Sequence, residues 1–114
     1  MNPADEVEAL QQRLAQLEQG PAVIGDWHRL VARAARLMVC GQTQLARLQC
    51  EMIELVRTPP PDPKWFGLLS QVHTLRDSME DVRLVRLCAE SRAFELEAEA
   101  IQRDVSNGRA TGRA

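Results

Sequence analysis

The chain has 114 residues, of which 45% are apolar and 26% are charged, and its formal net charge at pH 7 is −2. Such a chain is too apolar to be disordered and long enough for one folded domain with a modest core. The nearly balanced charge argues against a general nucleic-acid-binding surface, so we expect no direct contact with nucleic acid.

Charged residues interrupt every apolar stretch of the sequence, so we expect no membrane-spanning helix. The N-terminal sequence MNPADEVEAL is acidic and lacks the basic and apolar blocks of a signal peptide. Cys40, Cys50 and Cys88 form an odd set without a CxxC pair, which is a poor disulfide framework, and we expect them to be small buried side chains. These features predict a cytoplasmic protein.

The first predicted helix covers about residues 3–19. Asn2 and Pro3 supply an N-cap and a proline at the first helical position, and Gly20-Pro21 ends the segment. Two heptads are too few for a stable isolated helix, so this helix must dock on another element. Its apolar residues are Val7, Leu10, Leu14 and Leu17.

The second predicted helix, about residues 26–57, carries the most regular pattern. Asp26 precedes the first apolar residue and is the predicted N-cap. The apolar positions then alternate gaps of three and four over four heptads, which is typical of a helix-packing seam. The seam consists of Trp27, Val31, Ala34, Met38, Gly41, Leu45, Leu48, Met52 and Leu55.

Gly41 occupies a seam position in the middle of this helix. Glycine there costs about 1 kcal/mol relative to alanine in helix propensity. Two interpretations are open at this point. The backbone of a partner approaches closely at Gly41, or the glycine is a tolerated defect.

The sequence RTPPPDPKW separates the second helix from the third. Thr58 precedes Pro59 and is therefore pushed out of the α region, which ends the second helix. Asp62 and Pro63 then repeat the arrangement of N-cap and first-turn proline. A ligand for SH3-like domains is the functional alternative, but each proline already has a structural role. We interpret the segment as a rigid elbow.

The third predicted helix covers about residues 63–106 and ends at Asn107-Gly108, leaving 107–114 as a flexible tail outside a single domain at 1–106. Its first half has a seam at Trp65, Leu68, Val72, Leu75, Met79 and Val82. Continued at the same spacing, that seam meets Arg86, Ala89, Ala93, Leu96, Ala100 and Arg103, which is a poor core.

A second heptad pattern begins on another face of the third helix, and we call it the late stripe. Either the helix breaks near 77–81, or one continuous helix turns different faces to different neighbours. The late stripe consists of Leu84, Leu87, Ser91, Phe94, Ala98, Ile101 and Val105.

We therefore predict an all-α protein, in which a long antiparallel helical hairpin and a short N-terminal helix are completed as a homodimeric four-helix bundle. A hairpin alone leaves the late stripe uncovered, so a protein partner is expected there. The predicted hairpin or dimer seam is Val31, Met38, Gly41, Leu45, Leu48, Met52, Leu68, Val72, Leu75 and Met79. The predicted partner-binding residues are Leu84, Leu87, Phe94, Ile101 and Val105.

The sequence contains no pattern that predicts catalysis, a cofactor or a metal site, and we expect no enzymatic activity. His28 and His73 have no histidine, cysteine or carboxylate at ligand spacing. Arg29, Arg33 and Arg36 lie on adjacent turns of the second helix, and the acidic first helix can complement them in ion pairs.

The length, the arginine-rich and tyrosine-free composition, and the two long helices around RTPPPDPKW resemble the QslA-like proteins, the small helical quorum-sensing anti-activators of pseudomonads. The resemblance covers the whole chain but contains no diagnostic motif, and it assigns no individual residue. It implies a dimer that binds a LuxR-type transcription factor and blocks its dimerisation and DNA binding. The alternative function is a structural or assembly coiled-coil protein, such as a secretion chaperone or a phage component.

Overall fold

The computed structural model describes residues 3–57 and 62–111, with side chains at 4–57 and 62–108. These residues form three α-helices and no β-strand, which confirms the all-α prediction. The helices are α1 (Pro3–Gln19), α2 (Ile24–Val56) and α3 (Lys64–Thr111). The predictions made for Asn2 and for 58–61 of the elbow lie outside the described residues.

Helix α2 begins two residues before Asp26, so the prediction that Asp26 is its N-cap was wrong. The N-cap is Val23, whose backbone is extended at φ −94° and ψ 162°. Asp26 lies at the third helical position, where Oδ2 accepts a hydrogen bond of 3.2 Å from the Val23 N–H. A valine side chain has no acceptor, so only the acidic half of a capping box is present. Asp26 also forms an ion pair with Arg29.

Helix α3 begins next to Asp62 and Pro63, the predicted N-cap and first-turn proline. Oδ1 of Asp62 accepts a hydrogen bond of 2.9 Å from the Lys64 N–H. The carbonyl of Asp62 accepts another of 2.9 Å from the Trp65 N–H. The side chain of Asp62 therefore caps the start of α3, as predicted. The helix itself begins at Lys64, one residue after the proline that was predicted to occupy its first position.

Helix α3 is continuous from Lys64 to Thr111, without a break at 77–81. It also passes through Asn107 and Gly108, so the predicted stop at these residues was wrong. An Asn-Gly pair ends a helix when the glycine adopts a left-handed conformation. Gly108 does not have a positive φ, and a Cβ placed there would meet no atom within 4 Å.

The core lies where α1 packs against the first half of α2 and the second half of α3. The seam of α3 continues through this region, so the prediction of a poor core beyond Val82 was wrong. Ala89 is fully buried and Ala93 is 5% exposed, because small side chains allow a third helix to approach closely. The core consists of Val7, Leu10, Leu17, Trp27, Leu30, Ala34, Val82, Val85, Ala89 and Ala93.

Contacts between α2 and α3 join the start of one helix to the end of the other. Nε2 of His28 lies 2.8 Å from Oε1 of Glu97, and Gly41 lies against Met79. The molecule is elongated, with Cα extents of 82 × 26 × 16 Å. We call 24–43 of α2 with 79–100 of α3 the far half, and 44–56 of α2 with 64–78 of α3 the elbow half. Helix α1 covers the far half.

The close neighbour of Gly41 within the chain is the side chain of Met79. A Cβ at this position would lie 2.9 Å from Cγ and 3.1 Å from Sδ of Met79. Those distances are shorter than ordinary van der Waals contacts. The glycine therefore makes room for Met79 within the α2–α3 seam.

We expect Gly41→Ala to destabilise the protein by up to about 2 kcal/mol, because overpacking of about 1–3 kcal/mol exceeds the helix-propensity gain of about 1 kcal/mol. In a Met79→Ala background the same change should stabilise by about 1 kcal/mol, since the close contact is gone. Urea unfolding of the four proteins at one protein concentration measures this sign reversal. An equal effect in both backgrounds would contradict the assigned contact.

Asp26 gives a pH-dependent contribution to stability. The hydrogen bond from the Val23 N–H, followed by that from Arg29, lowers the pKa of Asp26 below its usual value. The ionised form therefore favours the folded state above the unfolded-state pKa, and this stabilisation is lost as the pH falls through the folded-state pKa. We expect Asp26→Asn to lower the urea midpoint at about pH 7 and to have a smaller effect at about pH 3. A difference that is constant with pH would count against this role.

Candidate protein-binding surface

The late stripe is a row of exposed apolar side chains on α3. Heptad spacing keeps its members on one face over about 32 Å of helix. Ser91 is exposed and Ala98 is half-buried. The large members are Leu84, Leu87, Phe94, Ile101 and Val105, which are 50%, 46%, 72%, 63% and 48% exposed.

The exposure of the late stripe does not reflect a loosely packed helix. The neighbouring positions Val85, Ala89 and Ala93 of the same helix are buried in the core. Phe94 follows Ala93 by one residue and is therefore rotated about 100° from it around the helix axis. Helix α3 is thus one continuous helix with a packed face and an uncovered apolar face.

Two ion pairs within α3 lie beside the late stripe. Arg86 lies 2.9 Å from Glu90, and Arg92 lies 2.8 Å from Glu95. Such exposed pairs contribute little to stability. A protein that covers the apolar residues of the stripe therefore need not neutralise these four charges.

Two further contacts between charged side chains lie near the late stripe. Arg83 donates to both carboxylate oxygens of Glu80 at 3.1 and 2.7 Å. This hydrogen bonding lowers the pKa of Glu80 and raises the pKa of Arg83. His28 bridges to Glu97 from the first turns of α2, so His28 has a carboxylate partner that its local sequence does not reveal.

The C-terminal part of the stripe extends past the start of α2. Glu97 is level with His28, and α2 begins only four residues before His28, at Ile24. Every residue from 101 to 108 is exposed. Ile101 and Val105 therefore lie on an overhanging part of α3, where no described residue covers them.

The predicted seam residues lie on the faces where α2 and α3 meet. Gly41, Val72 and Leu75 are buried. The half-buried seam residues are Val31, Met38, Leu45, Leu48, Met52, Leu68 and Met79. Most of the half-buried members belong to the elbow half, where two helices and not three form the layer.

One apolar surface was missed in the sequence analysis, on the outer face of α2. Val39 is 62% exposed and Ile53 is 51% exposed. Both belong to a row of apolar residues on one face of α2, at successive spacings of 3, 4, 7 and 7 residues. The row is Ala32, Ala35, Val39, Ala46 and Ile53. Heptad spacing could have revealed this row, but alanine adds little hydrophobic signal beside the stronger seam.

The three cysteines are all exposed, so the expectation that they are buried was wrong. Cys88 lines a hollow together with Glu18 of α1 and Leu87 of the late stripe. Within the described residues, no three histidine, cysteine or acidic side chains lie close enough together to hold a metal ion. Over the same residues, no helix has the length and apolar character needed to cross a membrane.

The chain matches no protein-family model, and neither a curated protein nor a solved structure was found to be similar to it.

The assignment of packed and uncovered faces predicts opposite responses at two positions of α3. We expect Ala89→Leu to destabilise the protein by at least about 1–3 kcal/mol, because there is no room beside a fully buried alanine. We expect Phe94→Ala to change the free energy of unfolding by less than about 0.5 kcal/mol, because the ring is largely in water. Urea unfolding at low protein concentration compares the two. A larger loss for Phe94→Ala would place the late stripe inside a folded core.

Proposed function

We propose that this protein is a non-enzymatic regulator that binds another protein through the late stripe. The observation that carries this proposal is the exposure of five large apolar side chains on a helix whose other face is firmly packed. Contiguous exposed apolar surfaces mark sites of protein interaction. A helix with such a row at heptad spacing fits an apolar groove or a second amphipathic helix.

The partner class comes from the resemblance to the QslA-like anti-activators. On this proposal, the late stripe binds a LuxR-type transcription factor and blocks its dimerisation and DNA binding. The length and composition of the chain and its two long helices support this assignment. An inhibitor of this kind needs an exposed binding surface and no catalytic group, and α3 supplies such a surface.

We further propose that α2 and α3 form an antiparallel hairpin and that two copies complete a four-helix bundle. The order of contacts supports the hairpin, because His28 meets Glu97 and Gly41 meets Met79. The thin elbow half supports the bundle, because a two-helix layer leaves its seam residues half-buried. The late stripe lies mainly beside the far half and stays free in this arrangement.

Charging the late stripe should abolish partner binding. We expect Leu87→Asp with Phe94→Asp to weaken binding to LuxR-type ligand-binding domains by at least about a hundredfold, since each buried apolar anchor contributes about 2 kcal/mol or more. Phe66→Asp is the matched control, because Phe66 is 68% exposed and lies outside the stripe. Isothermal titration against a panel of purified domains measures binding, and circular dichroism checks that helicity is retained.

Three outcomes are informative. Loss of binding in the stripe variant, but not in Phe66→Asp, supports the proposal. Binding that survives in the stripe variant removes the late stripe from the interface. If no LuxR-type domain binds and light scattering shows assemblies larger than a dimer, the structural or assembly function replaces the regulatory one.

A further inference from the structure

An uncovered groove runs along the elbow half and continues the line of α1. At one end, Ala4 of α1 lines the same hollow as Leu48 and Leu75. At the other end, Leu55 and Leu68 line a second hollow, and Gln71 belongs to both. We call these joined hollows the tip groove. It is about 20 Å long, the rise of α3 from Lys64 to Ser78.

The floor of the tip groove is made of small residues of α3. Gly67, Ser70, Thr74 and Ser78 line it, and a Cβ at Gly67 would meet nothing within 4 Å. Farther along α3, small residues such as Ala89 lie buried in the core beneath α1. The tip groove therefore repeats, without a cover, the kind of surface on which α1 packs.

We propose that the tip groove receives the elbow half of a second copy of this chain, packed antiparallel. This inference rests on the homodimer proposed above and identifies its interface. Helix α1 occupies the same groove in the far half, so two copies stacked in the same direction would drive their α1 helices together. Packed in opposite directions, each elbow half fills the space beyond the other copy's α1.

The antiparallel arrangement pairs α2 with α2 and α3 with α3 across a two-fold axis. Charges on α2 are arranged for such a pairing. Arg47 and Glu54 border the tip groove and are equidistant from a point between positions 50 and 51. A two-fold axis at that level places Arg47 of each copy opposite Glu54 of the other, whose carboxylate also pairs with Arg57 within α2 at 3.0 Å. The two Glu51 side chains then lie beside the axis, between the two arginines.

Charged residues of α3 favour a two-fold axis at the same height along the molecule. Lys64 lines the tip groove and Asp77 is exposed next to Ser78, outside the lining. The two residues are equidistant from a point between positions 70 and 71. Glu51 and Gln71 line the same hollow, so these two midpoints lie at one height along the molecule. A single two-fold axis therefore satisfies both pairs, and each pair occurs twice in the dimer. This charge complementarity favours a second copy over an unrelated helix as the occupant.

Charge reversal tests the pairing on α2. We expect Arg47→Glu and Glu54→Arg each to raise the dimer Kd by about tenfold, because two attractive contacts become repulsive. The double variant should recover dimerisation. Mixing the two single variants should also recover it, because the carboxylate introduced at position 47 of one copy then faces the guanidinium introduced at position 54 of the other. Sedimentation equilibrium on the full chain measures each Kd, and Arg36→Glu on the far half of α2 is the matched control.

A crosslink tests the position of the axis. In a chain with the three native cysteines replaced by serine, Gln71→Cys should form a disulfide-linked dimer under mild oxidation, because position 71 lies beside the axis. His73→Cys, on an exposed face two residues away, should not. Crosslinking at position 71 together with the charge-reversal pattern supports the tip groove as the interface.

Two results would overturn the inference. A dimer that forms equally well in both single charge variants removes the tip groove from the interface. A chain that stays monomeric at every concentration removes both the interface and the proposed bundle. Neither result depends on the late stripe, so binding of a partner protein there is tested separately by the Leu87→Asp and Phe94→Asp variant.

Discussion

The packing of α1 on the far half determines which surfaces of this protein remain available. Leu10 and Trp27 are almost fully buried where the three helices meet, and Ala34, Ala89 and Ala93 let the helices approach closely there. Because α1 is only 17 residues long, it covers one part of the α2–α3 groove and leaves the rest. The tip groove is the part of that groove that no described residue covers, and the late stripe lies on another face of α3.

The tip groove and the late stripe differ in the kind of side chains that form them. The tip groove has a floor of small residues and a border of both charge signs, which suits close and self-complementary helix packing. The late stripe has large side chains, with Phe94 at its centre, and two ion pairs within α3 lie beside it. Large exposed aromatic and aliphatic residues are typical anchors of interfaces with other proteins. A regulator that must remain assembled while it binds a target requires separate surfaces of this kind.

Large apolar residues at heptad spacing carried most of what the sequence could predict. They placed the seam of α2, the first seam of α3 and the late stripe, because leucine, methionine and phenylalanine give a strong periodic signal. The buried face formed by Ala89 and Ala93 was not predictable in this way. Alanine carries little hydrophobic signal, and its burial depends on α1, which lies far earlier in the chain.

The remaining differences have local causes. Asp26 acts from the third position of α2, and valine at the N-cap gives no side-chain signal for the helix start. Gly108 continues α3 because a glycine ends a helix only when its backbone turns left-handed. His28 meets Glu97 across 69 positions, a distance in sequence at which no local spacing rule applies.

The small thickness of the molecule, 16 Å in its shortest dimension, has a consequence for its motions. In a layer one or two helices deep, local opening exposes little apolar area and costs little free energy. Amide protection should therefore be graded along α3, with the slowest hydrogen exchange near Ala89 and faster exchange toward the overhang and the elbow half. The elbow half and the overhanging end of the late stripe, which are both proposed to bind other chains, are therefore expected to be less protected in the isolated protomer than the centre of α3. Binding there would order the ends of α3 and extend the rigid part of the molecule from its centre outward.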